Sequence, residues 1–409
     1  MSPHPHNQVT RRNILKTGAG VAIVRALEGV ESAQAASSLE PVVTYASLGV
    51  TTLINATGNV TVLGGSVMPP EVVAAWIEAS KHFVNIIDLQ NKVGKRIAQL
   101  VGVEGALVTT GAAGAMVLGA AAAVTRNDRA HIRRLPDTSG MRNEVILQKS
   151  HHSGYDNQLT NVGAKLIDVV TLDDIDRSVN PRTAMMFFMN VSDPVGEIRR
   201  ADWIAAARRH DIPTLLDASA DVPPVERMSE YCRMGFDLVA ISGGKGLRGP
   251  NNTGLLLGRN DLIETAKLNT NPFAPTFGRM MKVGKEDMMA MLAAVERFVR
   301  LDHRAEWEEM ERRIGVIERE LLAIPTVECE RIVPTLANHQ PHLIIDWDKS
   351  RIRLSHQQVT DALMAHVPPI QIGRVGETGN KGILISVLAL NAGEEQIIAD
   401  TLRTILTSA

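Results

Sequence analysis

Short apolar runs alternate with longer amphipathic stretches along most of the 409-residue chain. The runs 105–108, 144–147, 184–189, 214–216, 238–241 and 254–257 are bounded by Gly, Pro, Asp or Asn and are largely continuous rather than every other residue. Runs of this kind predict strands buried on both faces. Their alternation with helices predicts a mostly parallel sheet covered on both sides, an α/β domain. Residues 69–101 open with Pro69-Pro70 and continue with apolar positions at Val72, Val73, Trp76 and Ile77, then Val93, Ile97 and Leu100. Proline suits the first turn of a helix, so helical structure is predicted through this stretch. The stretch 285–323 is charge-rich and places Met291, Leu292, Val295, Phe298 and Val299 on one face, which predicts a connecting helix or helix pair. Beyond Pro325, apolar runs at 343–345 and 382–390 and a helical pattern over 394–406 predict a smaller α+β domain.

Composition narrows the function classes. Aromatic residues make up 3% of the chain, so the core must be built from Ala, Val, Leu, Ile and the 16 Met. With 43 basic against 45 acidic residues the net charge is −2, and no long basic block occurs. A nucleic-acid partner is therefore not expected. Cys232 and Cys329 stand in no metal-ligand spacing and could form one bridge at most.

The N-terminus carries Thr10-Arg11-Arg12-Asn13-Ile14-Leu15-Lys16, an apolar run over 18–24 and Ala33-Gln34-Ala35. This order resembles a bacterial twin-arginine leader over residues 1–35, although Arg25 interrupts the apolar part. The plain alternative is a basic N-terminal segment with no transport role. The run is too short to anchor the chain in a bilayer. The leader predicts export of a folded protein to the periplasm by the twin-arginine machinery, which suits an enzyme that loads a cofactor before crossing.

Three loops carry candidate chemistry. The run ending at Ile241 leads into Ser242-Gly243-Gly244-Lys245-Gly246, where glycines allow close approach and a lysine at a strand end can project into a cleft. A lysine desolvated there is a nucleophile; in open solvent it is an ordinary turn residue. The partner motifs of a penicillin-binding protein are missing. Asp217, at the end of the run Thr214-Leu215-Leu216, lies 28 residues upstream, one strand-helix-strand step away. A buried Asp there needs a cation, either Lys245 or a protonated ring nitrogen, unless it simply caps the next helix. The third loop, Thr109-Thr110-Gly111-Ala112-Ala113-Gly114, joins a strand to a small-residue helix. Free amides and the helix dipole make such a junction a phosphate cradle, although it is neither a Walker motif nor a dinucleotide fingerprint. A lysine, a carboxylate and a phosphate cradle are the three fixtures that pyridoxal phosphate requires.

On these loops the sequence resembles the fold-type-I pyridoxal-phosphate enzymes of the aminotransferase class V kind, and within them the selenocysteine-synthase-like (L-seryl-tRNA selenium transferase-related) group. The stretches that carry the resemblance are Ile54-Asn55-Ala56-Thr57-Gly58, Leu63-Gly64-Gly65, the Thr109 loop, Leu216-Asp217-Ala218, Ser242-Gly243-Gly244-Lys245 with Gly249-Pro250, and Pro368-Pro369 with Gly373-Arg374. Leu135-Pro136-Asp137-Thr138-Ser139-Gly140-Met141 and Asn143-Glu144-Val145-Ile146 are most similar to the D-glucosaminate-6-phosphate ammonia-lyase branch. The resemblance implies a large domain with a mostly parallel seven-stranded sheet flanked by helices, plus a smaller C-terminal α+β domain. With the leader over 1–35 and an N-terminal segment over 36–75, it places the large domain at 76–284, the connecting helix at 285–325 and the small domain at 326–409.

Carried onto this chain, the resemblance implies that Lys245 holds the cofactor covalently and that Asp217 keeps its pyridine nitrogen protonated. It implies phosphate binding by Thr110, Gly111, Ala112 and Ser242. It places His151 on the cofactor ring, with His152 as the rival, and makes Arg374 and Asn55 candidates for the substrate. The reaction class implied is β-elimination from an amino acid; transamination, racemisation and aldol cleavage use the same fixtures, and a non-catalytic cofactor-binding protein is the remaining alternative. The charge balance and the leader argue against a tRNA substrate and against a phosphorylated sugar acid, which is an intracellular metabolite. A homodimer or higher homo-oligomer is implied, because the group builds its sites at a subunit interface.

Overall fold

In a computed structural model, which describes residues 43–373 and 381–408, all six apolar runs are strands. The described residues up to Thr51 belong to one unit and those from Thr52 to a second. Within the first, the described residues hold a single 3-10 turn, Ala46–Leu48, in which the Thr44 and Ser47 backbone amides each donate to the other's hydroxyl.

The second unit contains β1 (Ile54–Ala56), β2 (Gly105–Thr109), β3 (Glu144–Gln148), β4 (Lys165–Val169), β5 (Thr183–Met189), β6 (Thr214–Asp217), β7 (Leu238–Ser242) and β8 (Gly254–Gly258). It continues with β9 (Val327–Ile332), β10 (His342–Trp347), β11 (Ile370–Ile372) and β12 (Ile383–Ser386). The large sheet has seven strands in the order β2-β8-β7-β6-β5-β3-β4, all parallel except β8, which runs against both of its neighbours. The strand that the hydrophobic pattern does not reveal is β4. It lies at the edge, and Lys165 and Asp168 are exposed while only Val169 is buried, as edge strands commonly are.

Alternate residues of each strand feed two cores. Ile146, Met186, Phe188 and Leu216 pack on one side with Trp203 and Phe298, and Val145, Leu147, Phe187 and Leu215 pack on the other. The helix Gly111–Thr125 covers the second side and is buried around almost its whole circumference. Its Gly and Ala residues let the sheet approach the helix backbone closely, and its N-terminus is thereby fixed at the end of β2.

The stretch 69–101 is two helices, Pro70–Ser80 and Ile86–Val101, rather than one. Asn85 restarts the second, its side chain accepting from the amides of Ile87 and Asp88 at 3.0 and 3.1 Å. The connector is a pair, Lys285–Arg300 and His303–Leu322, with Asp302 capping the latter. The small domain holds the antiparallel sheet β12-β10-β9 and the helices His356–Met364 and Glu394–Thr407. The predicted separate segment over 36–75 needs correction. β1 pairs in parallel with β11, so Ile54 and Ala56 enter the small-domain core, and the boundary at 75 falls inside the helix Pro70–Ser80. Both cysteines are free, and burial pushes the Cys232 and Cys329 thiols up, to about 12 and about 11. Among the described residues no helix is long and apolar enough to cross a membrane.

Candidate active site

Parallel strands present their carboxyl ends at one edge of a sheet, and loops leaving that edge form the natural place for a ligand. Asp217 is the last residue of β6 and lies opposite Ala240 of the adjacent parallel strand β7. Lys245 follows three residues after the end of β7. Both line a cavity of about 330 Å3 together with Thr110, Gly111, Ala112 and Ser242. Six of the residues singled out in the sequence thus meet in one place.

The anion end of this cavity is the start of the helix Gly111–Thr125. Its N-cap, Thr110, makes no side-chain cap hydrogen bond, so the first-turn amides are not closed off by their own cap. The neighbouring Thr109 hydroxyl instead donates to the Gly111 carbonyl at 2.8 Å. On the other side β8 runs flush against this turn, and a Cβ at Gly254 would stand 2.3 Å from the Gly111 carbonyl carbon. Glycine is therefore required there for the cradle to seat on the sheet.

Lys245 is held by a loop with little freedom. The Gly243 amide donates to the Thr253 carbonyl at 2.8 Å, and the Arg248 amide donates to the Lys245 carbonyl at 2.9 Å. A Cβ at Gly246 would stand 2.2 Å from the Val222 carbonyl oxygen, so this loop packs directly on the one that follows Asp217. Burial pushes the Lys245 amine below its ordinary value, and the charges of Asp217 and Asp221 pull it partly back. Asp217 is 6% exposed. Burial pushes its carboxyl up, against the lowering effect of the Ser219 amide, which donates to Oδ1 at 2.9 Å, of the Ser219 hydroxyl and of the Lys245 charge.

His151 requires correction. Its ring is 0% exposed and sits in the protein interior edge-on to Phe188, outside the cavity lining. Nδ1 lies 3.2 Å from the Met189 amide and Nε2 lies 3.1 Å from the Gln148 amide nitrogen, so both ring nitrogens are taken up by the core. Burial lowers it to about 4. His152 is also outside the lining: Nδ1 and Nε2 stand 2.5 and 2.8 Å from Asp156 and Asp168, and these carboxylates raise it. Asn55 folds its own turn instead of reaching the cavity. Its Oδ1 accepts from the amides of Thr57 and Gly58 at 3.1 and 3.2 Å, and its Nδ2 donates to the Gly58 carbonyl at 2.9 Å. Arg374 lies outside the described residues, as does the leader over 1–35.

Several lining residues were not singled out in the sequence, among them Tyr155, Ser219 and Asn251. Tyr155 supplies the aromatic ring from the loop that follows His151 and His152, Ser219 stands beside Asp217, and Asn251 approaches from the loop after Lys245. Only Tyr155 had a signal, as the aromatic residue nearest the two histidines.

The donor set fits pyridoxal phosphate. A half-buried amine, a buried carboxylate whose burial favours a cationic partner, and an uncapped helix start share one cavity of the size that small cofactors occupy. The model of the class-V aminotransferase family matches residues 143–283, which include Asp217 and Lys245. The D-glucosaminate-6-phosphate ammonia lyase of Salmonella typhimurium is 31% identical over 265 residues, covering 62% of this chain and 69% of that protein. A Streptomyces protein named 5'-C-glycyluridine monooxygenase-decarboxylase is 26% identical over 343 residues, covering 80% of this chain and 83% of its own. The L-seryl-tRNA(Sec) selenium transferase of Desulfomicrobium baculatum is 29% identical over 282 residues, covering 60% and 56%. Among solved structures, a D-glucosaminate-6-phosphate ammonia-lyase superposes with a TM-score of 0.79 at 25% identity, covering 89% of this chain and 98% of its own. The chain therefore belongs to the class-V aminotransferase family of fold-type-I pyridoxal-phosphate enzymes, in the branch that holds the ammonia-lyase and selenium-transferase proteins.

Proposed function

We propose that the protein is a lyase that eliminates a β-hydroxyl from a small amino acid, with ammonia and a 2-oxo acid as the final products. The carrying observation is that Lys245 and Asp217 sit at adjacent strand ends in the cavity that also holds the helix start at Gly111. Similarity to an ammonia lyase over 69% of that protein's length supports the same reading.

Pyridoxal phosphate, when bound, supplies an electron sink for a carbanion at the substrate Cα. The chain's own residues do the rest. The amides of the Gly111 turn and Ser242 bind the phosphate, and the Asp217 carboxylate favours a proton on the ring nitrogen. Lys245 Nζ, already shifted toward its neutral form by burial, takes the Cα proton. Departure of the β-hydroxyl with a proton gives water and an enamine, which hydrolyses to the 2-oxo acid and ammonia.

The reading includes export through the twin-arginine leader to the periplasm and assembly as a homodimer or higher homo-oligomer, acting on a small amino acid rather than a nucleic acid. Incubating purified, cofactor-loaded protein with serine, threonine and D-glucosaminate 6-phosphate, and measuring ammonia and 2-oxo acid, tests the reaction. Equal release of the two from one substrate supports elimination. Formation of the keto acid only with an added amino acceptor shows transamination, and inverted configuration without release shows racemisation. Retro-aldol cleavage appears as an aldehyde product. The long similarity to a monooxygenase-decarboxylase favours one second reading, which oxygen uptake with carbon dioxide release in the same assay would reveal.

A further inference from the structure

Asp221 lies four residues beyond Asp217, is 1% exposed and does not line the cavity. A carboxylate so buried is costly unless donors surround it. Its Oδ2 accepts from the Tyr231 hydroxyl at 2.9 Å and from the Asn190 side-chain amide, and its Oδ1 accepts from the Ala337 backbone amide at 3.0 Å. The three donors come from three places. Asn190 begins the turn after β5, Tyr231 belongs to the helix Arg227–Met234, and Ala337 lies in the segment 333–341 between β9 and β10 of the small domain.

The turn that Asp221 ends is the one that holds Asp217. The Asp221 amide donates to the Ala218 carbonyl at 3.1 Å, and the Ser219 amide donates to Asp217 Oδ1 at 2.9 Å. On one side the turn is tied to β7, the strand leading to Lys245, because the Ala218 amide donates to the Ala240 carbonyl and the Ser242 amide to the Ser219 carbonyl. On the other side the Asn338 amide donates to the Ala220 carbonyl at 2.7 Å, and Arg227 Nη2 donates to the Thr335 carbonyl at 2.6 Å. The next residue, Val222, is the one against which Gly246 packs. Both cofactor-holding loops therefore rest on the place where this carboxylate is fixed.

We propose that Asp221 is a positioning residue for the cofactor-holding pair: with Asn190, Tyr231 and the Ala337 amide it locks the 218–222 turn between the strand ends and the small domain, and so sets the placement of Asp217 and Lys245. The inference rests on the reading of that pair as the cofactor's partners. The groups facing Asp221 are Tyr231 from its helix, Arg227 through the Asp221 carbonyl, Arg200 through Asn190 and over the Tyr231 ring, and the charges of Asp217 and Lys245.

The test uses the full chain loaded with pyridoxal phosphate, as wild type, Asp221→Asn and Tyr231→Phe. The readouts are the cofactor dissociation constant, the pH midpoint of the visible band that Lys245→Ala removes, and the melting temperature. Asp221→Asn should weaken cofactor binding about tenfold and move the midpoint to lower pH, since it removes a negative charge that favours a cation at Lys245. Tyr231→Phe keeps that charge, so it should weaken binding and leave the midpoint in place. If both variants bind as tightly as wild type with the same midpoint, Asp221 is merely structural, whatever the melting temperatures do. Should Asp221→Asn fail to fold, Tyr231→Phe decides: weakened binding supports the proposal and unchanged binding overturns it. A wild-type protein with no Lys245-dependent band overturns the reading of the site, and this inference with it; a band indifferent to both variants overturns the Asp221 inference alone.

Discussion

Asp217 and Lys245 stand at the carboxyl ends of two hydrogen-bonded parallel strands, and each favours the charged form of the other while burial disfavours both. The register of β6 on β7 makes this relationship. A slip of one residue would turn Asp217 to the opposite face of the sheet. The pair is thus a property of the strand register as much as of the two side chains.

The first prediction follows from that coupling. Asp217→Asn removes a negative charge that raises Lys245, so the Lys245 amine of the cofactor-free protein should titrate at lower pH than in wild type. Mass-spectrometric measurement of Lys245 acylation against pH reads this directly. Turnover of the loaded variant should fall on the order of 100-fold or more, because stabilisation of developing charge is lost. An unchanged acylation profile contradicts the coupling.

His151 gives a prediction of a different kind. Its ring belongs to the core, so His151→Ala should cost about 2–4 kcal/mol of stability in urea denaturation and leave the Lys245-dependent band in place. In wild type the histidine is lowered from 6.5 to about 4. The unfolded chain therefore binds the extra proton first, and stability should fall as pH drops from 6.5 toward 4, by up to about 3 kcal/mol. A His151→Ala protein that folds with wild-type stability but loses the band would restore His151 to the cofactor.

Much of this arrangement was legible in the sequence. Continuous apolar runs mark strands buried on both faces, and residues at their ends, Asp217, Ser242 and Lys245, were placed by the strands themselves. The edge strand β4 escaped because Lys165 and Asp168 break its apolar pattern. The helix break at 81–85 escaped because apolar periodicity continues through it, and only Asn85 marks the restart. Loop side chains were the hardest to place. Whether His151, His152 or Tyr155 faces the cavity depends on how the 149–156 loop turns, which spacing does not determine. Asn55 looked free to bind a ligand but is consumed by two amides of its own turn.

His152 supplies a prediction with the opposite pH sign. Asp156 and Asp168 raise it above 6.5, so its contribution is full below that pH and is lost as pH rises through its higher folded value. The side chain is 37% exposed, so the effect is at most about 1 kcal/mol. Comparing melting temperatures of wild type and His152→Gln should show a gap at pH 6 that narrows by pH 9. A gap that ignores pH contradicts the ion-pair account.

The central claim is tested most directly by treating the cofactor-loaded protein with borohydride, digesting it and locating the reduced pyridoxyl group by mass spectrometry. The account predicts a single labelled peptide with the group on Lys245, and its loss from the Asp217 and Lys245 neighbourhood when Lys245→Ala is treated in the same way. A label on any other lysine, or none on a protein that retains its visible band, would contradict it.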